Sequence, residues 1–368
     1  MSPQLEIQLI ASVVAAAWAL PGVFLVLRRM AMMSDAISHT VLLGIVLAFF
    51  VVNEFGHPLL MIGATVMGVV TVSLTELLNK TKLVKEDAAI GLIFPALFSL
   101  AVIIISVFAR NIHLDAHVVF QGDLAFAPFD RTILFGIDFG PRTFVVMSVI
   151  FLLNLGFILF FYKELKLATF DEQLAAALGF SPTFIHYALM TMVSITAVGA
   201  FDAVGSILVI ALMIVPPVTA SLLTDRLPLM LLLSVLIGVA GSISGYWLAH
   251  SLNTTIGGSM VTMIGVIFAL VFLFSPQRGL IAIARRRMRQ KWEFSQTMLA
   301  IHLLNHEGTA EAKQESRTDH LVEHFRWAPD FAEKVIRYAE QKGVVRRYSG
   351  QLNLTDKGRV LAQEAIVR

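Results

Sequence analysis

From Leu227 to Gln277 the chain carries no Asp, Glu, Lys or Arg. A run that long without charge cannot serve as a water-facing surface, and it exceeds the about 20 apolar residues that one helix needs to cross a bilayer. Within it, His250–Gly258 (His-Ser-Leu-Asn-Thr-Thr-Ile-Gly-Gly) supplies a polar, glycine-containing turn, so the stretch predicts two spans folded back on each other. Comparable apolar runs lie near 7–27, 37–53, 58–78, 88–109, 143–163, 183–200 and 205–223. With 228–250 and 259–275 they make nine, the second and seventh being the weakest because polar residues interrupt or adjoin them. Only 15% of the 368 residues are charged, against about 25% in a soluble domain. The absence of cysteine excludes disulfides, thiolate metal sites and cysteine nucleophiles.

Charge divides the chain into three. Residues 1–284 hold 12 basic and 15 acidic groups; 285–291 hold five basic groups and no acid; 292–368 hold 11 of each sign. This predicts a membrane domain over 1–284, a basic membrane-proximal linker over 285–292 and a small soluble domain over 293–368. Orientation follows the excess of Lys and Arg on the cytoplasmic side. With the N-terminus outside, nine basic residues (Arg28, Arg29, Lys80, Lys82, Lys85, Lys163, Lys166, Arg226, Arg278) fall inside, and three (Arg110, Arg131, Arg142) fall outside. The basic cluster then lies inside as a stop-transfer and anionic-lipid anchor, and the tail is cytoplasmic. Met-Ser-Pro-Gln-Leu-Glu is not a basic leader, which argues against a cleaved signal peptide.

Three features break the hydrophobic pattern. Asp35 and His39 stand four apart in Ser34-Asp35-Ala36-Ile37-Ser38-His39-Thr40. On a helix they share one face, their Cβ atoms roughly 6 Å apart. Ionisable groups at membrane depth face a polar cavity or a ligand, and carboxylate plus imidazole suits a first-row divalent ion. The competing reading is an interfacial pair after Arg28-Arg29 that merely caps a helix, and spacing leaves both open. Next, Thr169 and Glu172 fit a capping box before Leu174-Ala175-Ala176-Ala177, and Gly179 with Pro182 ends the segment, predicting a helix of barely two turns. Spacing alone makes it an interfacial connector. Finally, Pro216-Pro217 lies deep in an apolar run, where two missing donors predict a broken helix, and Gly241-x-x-x-Gly245 is a packing motif.

Taken together and in order, these features resemble the membrane permease of bacterial ABC importers for manganese, zinc or iron. The resemblance covers roughly residues 5–276. It rests on Ser34–His39 with Gly44, on Glu86-Asp87-Ala88-Ala89-Ile90-Gly91, on Asp171-Glu172 with Ala175 and Gly179, and on Val204–Val209 running to Pro216. It implies an all-α polytopic membrane bundle of eight or nine transmembrane helices, two permease subunits (identical or different) around one path, and Asp35 and His39 as metal contacts. It places that pair near mid-membrane on a re-entrant or broken segment, where hydropathy alone puts it nearer the cytoplasmic end. It also implies that Asp171, Glu172, Ala175 and Gly179 belong to the element that docks on a separate ATP-binding subunit. The chain has no Gly-x-x-x-x-Gly-Lys-Ser/Thr, so it is not itself expected to be an enzyme. The external segment 110–142, with His113, Asp115, His117, Asp123, Asp130 and Asp138, is implied to receive an extracytoplasmic metal-binding protein, and His113 and His117 are a candidate transit site. The metal is cargo, Mn²⁺ first with Zn²⁺ and Fe²⁺ close behind, and no permanent cofactor is expected.

The tail departs from the plain permease pattern. Helices are predicted near 293–305, 317–325 and 329–342, then a β-wing over Gly343–Thr355. This is similar to the winged-helix domain of metal-dependent repressors, giving a small α+β cytoplasmic domain. Its balance of 11 basic and 11 acidic groups argues against nucleic acid and for dimerisation or regulation. His302/His306 and His320/His324 are i,i+4 pairs that could sense cytosolic metal, although solvated helix faces explain them too. Two other classes remain, namely a secondary metal transporter or channel without an ATPase, and a membrane-anchored winged-helix regulator.

Overall fold

A computed structural model describes residues 2–54, 57–108, 124–134, 137–199 and 201–367. The chain divides into two compact units, Met1–Arg278 and Gly279–Arg368.

The first unit is a helical bundle. Its long helices are α1 (Pro3–Leu27), α2 (Ala31–Val52), α3 (Pro58–Lys80), α4 (Glu86–Phe108) and α5 (Arg142–Phe160). A hairpin of β1 (Arg131–Leu134) and β2 (Ile137–Pro141) precedes α5; it is an element the apolar pattern did not announce. Then come short α6 (Tyr162–Phe170) and α7 (Glu172–Ala177), α8 (Pro182–Gly199), the single turn α9 (Phe201–Val204), α10 (Ser206–Leu223), α11 (Leu227–Leu252) and α12 (Ile256–Phe274). Among the described residues eight helices are long and apolar enough to span a bilayer; α10 is the shorter, ninth segment. The turn expected inside the charge-free run is present, Asn253 closing α11 in the left-handed conformation at φ 51°.

α1 is the centre of this unit. Ala15, Ala17, Trp18 and Ala19 are fully buried, because small side chains let α5, α8, α10 and α11 close around it. Polar groups stitch these contacts. Trp18 Nε1 donates to Thr196 O at 2.7 Å, and Asn154 Nδ2 donates to Ala17 O at 3.0 Å and to Thr196 Oγ1 at 2.8 Å. Large apolar side chains such as Val51, Leu152 and Phe274 point outward. That inversion is what a lipid-facing surface requires.

Two expectations about broken helices are corrected. Pro216 and Pro217 lie inside an uninterrupted α10. Pro217 deprives the Met213 carbonyl of its helical donor. Gly22 of α1 lies directly over that carbonyl, so close that a Cβ there would stand 2.0 Å from the oxygen. The close approach offers that oxygen a weak Cα–H contact in place of the missing donor, and the helix continues through the prolines. Likewise α2 is one continuous helix, neither re-entrant nor broken, since no Pro or Gly occurs between Ala31 and Leu43. Gly241 and Gly245 face Ile264 and Met260 of α12, as a packing motif should.

The second unit contains α13 (Leu280–His306), α14 (Ala312–Glu315), α15 (Thr318–His324), α16 (Pro329–Gln341), the hairpin β3 (Val345–Tyr348)–β4 (Gln351–Leu354) and α17 (Asp356–Val367). The segment 285–292, expected as a linker, lies inside α13. Arg, Lys, Gln and Met are good helix formers, so a basic run gives no reason to stop. The hairpin turns through Ser349 and Gly350, both at positive φ, as a tight two-residue connection needs. Leu299, Leu303, Leu321, Val335, Ile336 and Leu352 form its core. Among the described residues of this unit, strand is limited to that hairpin and an isolated bridge, Arg317 to Gln351.

Candidate functional site

On α2 the apolar periodicity buries Ser34, Ala36, Ile37, Ser38 and Thr40 and leaves Asp35 and His39 half-exposed on one face. His39 Nε2 lies 3.3 Å from Asp35 Oδ1, each side chain 31% exposed. The buried hydroxyls satisfy their own helix, Ser38 Oγ donating to Ser34 O at 2.8 Å and Thr40 Oγ1 to Ala36 O at 3.0 Å. Thr71 Oγ1 of α3 lies 2.8 Å from Thr40 Oγ1, fixing the register of the two helices beside the pair. From α4, Phe94 stacks on the His39 ring at 5.6 Å and Phe98 meets it edge-on at 6.0 Å. The imidazole is thereby held in a fixed plane. The pair contacts directly as an ion pair, and its separation also matches the about 3.0–3.4 Å between two donor atoms held at about 2.1 Å by one ion. With a rise of about 1.5 Å per residue, the pair sits roughly 6 and 12 Å into α2 from its Arg28–Arg29 end.

The two-turn helix expected after 169 is α7, but its cap differs. Asp171, not Thr169, is the N-cap, its Oδ1 accepting from Leu174 N at 2.8 Å. Thr169 ends up in α6, where its hydroxyl accepts from Arg28 Nε at 3.2 Å. At the other end Gly179 is left-handed (φ 86°), with Gly179 N donating to Ala176 O and Phe180 N to Ala175 O. These two bonds are the Schellman closure that glycine favours. Ala175 is fully buried and anchors the helix, while Glu172, Leu174 and Leu178 are exposed beside exposed Phe170.

Sequence reasoning missed a polar cluster at the same end of the bundle. His186 Nε2 of α8 lies 2.5 Å from Glu76 Oε1 of α3, and Tyr187 Oη donates to Glu76 Oε2 at 2.8 Å. Arg28 Nη1 lies 3.3 Å from His186 Nδ1. Burial lowers the pKa of the Arg28 guanidinium, which the nearby Glu172 carboxylate opposes. Arg28, Glu76 and His186 line a cavity of about 530 Å³ shared with Met33, Lys80, Thr169 and Glu172. The available signal was a single acid in α3 and a single histidine in α8, both near span ends where they look interfacial.

His113 and His117, with Asp115 and Asp123, lie outside the described residues. Asp138 and Asp130 are engaged in ion pairs, Asp138 with Arg131 at 2.7 Å and Asp130 with Arg142 at 3.9 Å. Arg131 also reaches Glu6 of α1 at 3.5 Å. The Gly140 N–H, then Arg131, hold the Asp138 carboxyl below its ordinary range. In the second unit, the two expected histidine pairs converge. The His302 ring lies 4.8 Å from that of His306 and 4.5 Å from that of His324, and His320 lies 6.0 Å from His324.

Among the described residues eight bilayer-length helices, the buried α1 being one of them, with an ionisable pair half-open on α2, define a multi-pass membrane protein. The chain belongs to the ABC 3 transport family, whose model matches residues 4–275. It is 48% identical over 359 residues to the zinc transport system membrane protein TroD of Treponema pallidum, with 98% of each chain covered. To the manganese transport system membrane protein MntD of Bacillus subtilis it is 47% identical over 272 residues, 74% of this chain and 92% of that one. Among solved structures, PsaBC from Streptococcus pneumoniae in complex with Fab matches with a TM-score of 0.63 at 29% identity, covering 76% of this chain and 94% of that one.

Proposed function

We propose that this chain is the membrane permease of an ATP-driven importer for divalent metal ions, in a bacterial inner membrane. The observation that carries the proposal is the Asp35–His39 pair, 3.3 Å apart and open to one side of α2. Two protein ligands do not complete a coordination sphere, so the ion takes further ligands from water or a second permease subunit across the path. A nitrogen and an oxygen donor accept Mn²⁺, Zn²⁺ and Fe²⁺ alike. The names of the manganese and zinc relatives support the first two as cargo. Metal reaches the pair from an extracytoplasmic binding protein docked over the hairpin side.

Energy enters through α7. Leu174, Leu178 and Phe170 form an exposed apolar patch around a helix anchored by Ala175, which suits docking of a separate ATP-binding subunit. Asp171 and Gly179 hold that helix in shape, and Glu172 joins it to the Arg28–Glu76–His186 cavity. The second unit is read as a cytoplasmic winged-helix-like module for dimerisation or regulation. Its order supports this: α13, α15 and α16, with the one-turn α14 between the first two, then the hairpin and α17, with the Arg317–Gln351 bridge adding a third short strand position.

The test is uptake of ⁵⁴Mn²⁺ and ⁶⁵Zn²⁺ by the reconstituted complex, comparing wild type with Asp35→Ala and His39→Ala. Both variants are expected to lose uptake while ATP hydrolysis persists. Undiminished uptake in both refutes the site, and uptake that needs no ATPase refutes the coupling in favour of a secondary transporter.

A further inference from the structure

The histidines of the second unit meet a carboxylate in a way the transport reading does not use. His302 lies near the end of α13, Glu315 ends α14, and His320 and His324 lie one turn apart on α15. His302 Nε2 is 3.2 Å from Glu315 Oε2 and 3.3 Å from the Glu315 backbone carbonyl oxygen. His320 Nε2 is 3.0 Å from the same Oε2. One ligand atom each from His302, Glu315 and His324 can be chosen so that all lie within 4.8 Å of one another.

Their environment separates this cluster from a solvated helix face. The His302 side chain is 6% exposed and that of Glu315 15%. Glu315 Oε2 and His320 Nε2 are both sealed from solvent, yet neither makes a well-directed hydrogen bond despite the short approach. A buried carboxylate oxygen without a directed donor is destabilising unless a cation satisfies it. Phe325 closes one side, 5.2 Å from the His302 ring.

We propose that His302, Glu315 and His324 bind a divalent zinc-class ion, with His320 or His306 positioned to supply a fourth ligand. Two imidazoles and a carboxylate with one open position are a common zinc donor set. The ion would staple α14 and α15, four and seven residues long and too short to hold themselves, onto the end of α13. This part of the chain would then become more ordered as free metal rises. Only the biological meaning, a reading of delivered metal, rests on the importer proposal; the binding itself does not.

The experiment uses the purified full-length chain in lipid nanodiscs, with ZnCl₂ as the probe. Bound zinc is measured by equilibrium dialysis, and hydrogen exchange is followed across 299–325. Glu315→Gln/His324→Ala is compared with wild type and with Asp35→Ala/His39→Ala; His302 is left in place because it is buried. Wild type and Asp35→Ala/His39→Ala are expected to share one site that the tail variant binds at least tenfold more weakly. Zinc should slow exchange over 312–324 in the first two proteins and not in the third. Equal binding in wild type and the tail variant overturns the proposal, as does zinc-independent exchange over 312–324 in wild type. If the double variant exchanges fast at Leu299 and Val335 without zinc, His324→Gln alone, at an exposed position, replaces it under the same criteria. Loss of uptake without loss of this site, or the reverse, separates the two proposals.

Discussion

Replacing Gly22 by Ala tests how the bundle tolerates prolines in α10. A Cβ at Gly22 would stand 2.0 Å from the Met213 oxygen and 3.2 Å from Pro217 Cγ, whereas real Cβ contacts essentially never fall below 3.0 Å. The neighbour is backbone, so no rotamer change relieves it, and α1 and α10 must part locally by about 1 Å or more. Overpacking of this kind costs about 1–3 kcal/mol. Parting also loosens the weak Cα–H contact that Gly22 offers the Met213 carbonyl, already without its helical donor, for about another 0.5–1 kcal/mol. Against this, Ala is favoured over Gly inside a helix by about 1 kcal/mol. The net expectation is a loss of about 0.5–3 kcal/mol, concentrated in the most buried helix of the unit. Gly156→Ala in α5 is the internal control, because nothing lies within 4 Å of its added Cβ. Thermal unfolding of the detergent-solubilised protein, followed by circular dichroism, should place Gly22→Ala well below wild type and Gly156→Ala at or above it. A Gly22→Ala protein that melts with the control would refute the claim that this close approach sustains α10.

Other expectations are as specific. Asp171→Ala removes the cap on Leu174 N and should cost α7 about 1 kcal/mol of local stability. It is read as faster exchange over 172–178 and weaker stimulation of the partner ATPase. Asn154→Leu strands the Ala17 carbonyl and loosens α1 from α5 and α8, with an expected loss of about 1–3 kcal/mol in the same thermal assay. Arg359 holds the Glu307 carboxyl below its ordinary value of 4.5, chiefly by hydrogen bonding, and Arg347 does the same for Glu333. The folded unit therefore excludes protons that the unfolded chain accepts, so this stabilisation is full above 4.5 and fades as pH falls through the lowered folded values. Exchange protection in 299–362 should drop below pH 4.5, and less steeply in Arg347→Gln/Arg359→Gln; an identical pH profile would remove these two pairs from the explanation.

The spans were legible because crossing a bilayer demands about 20 apolar residues, a constraint written locally in the chain. The Asp35–His39 pair was legible for the same reason, an i,i+4 spacing being geometry that one helix fixes alone. What sequence could not supply is whatever depends on a second helix. The broken helices expected at Pro216 and around Asp35 failed because Gly22 covers a freed carbonyl from 191 residues away, and because α2 has no residue that would interrupt it. The Arg28–Glu76–His186 cluster draws on the end of α1, on α3 and on α8, so no window of sequence contains it. Asp171 took the cap from Thr169 because Arg28 claims the threonine hydroxyl, again a long-range contact.

The double closure of α7 has a mechanical consequence. Six residues pinned by Asp171 at one end and Gly179 at the other already occupy their final shape before any partner arrives. Ordering a free backbone takes about 1–2 kcal/mol per residue, and here that work is done inside this chain and not at the moment of engagement. In the docking role proposed above, such a stiff peg would be released and re-engaged in every transport cycle without melting. Displacement at its socket is passed on as movement of the whole element, with little lost to bending.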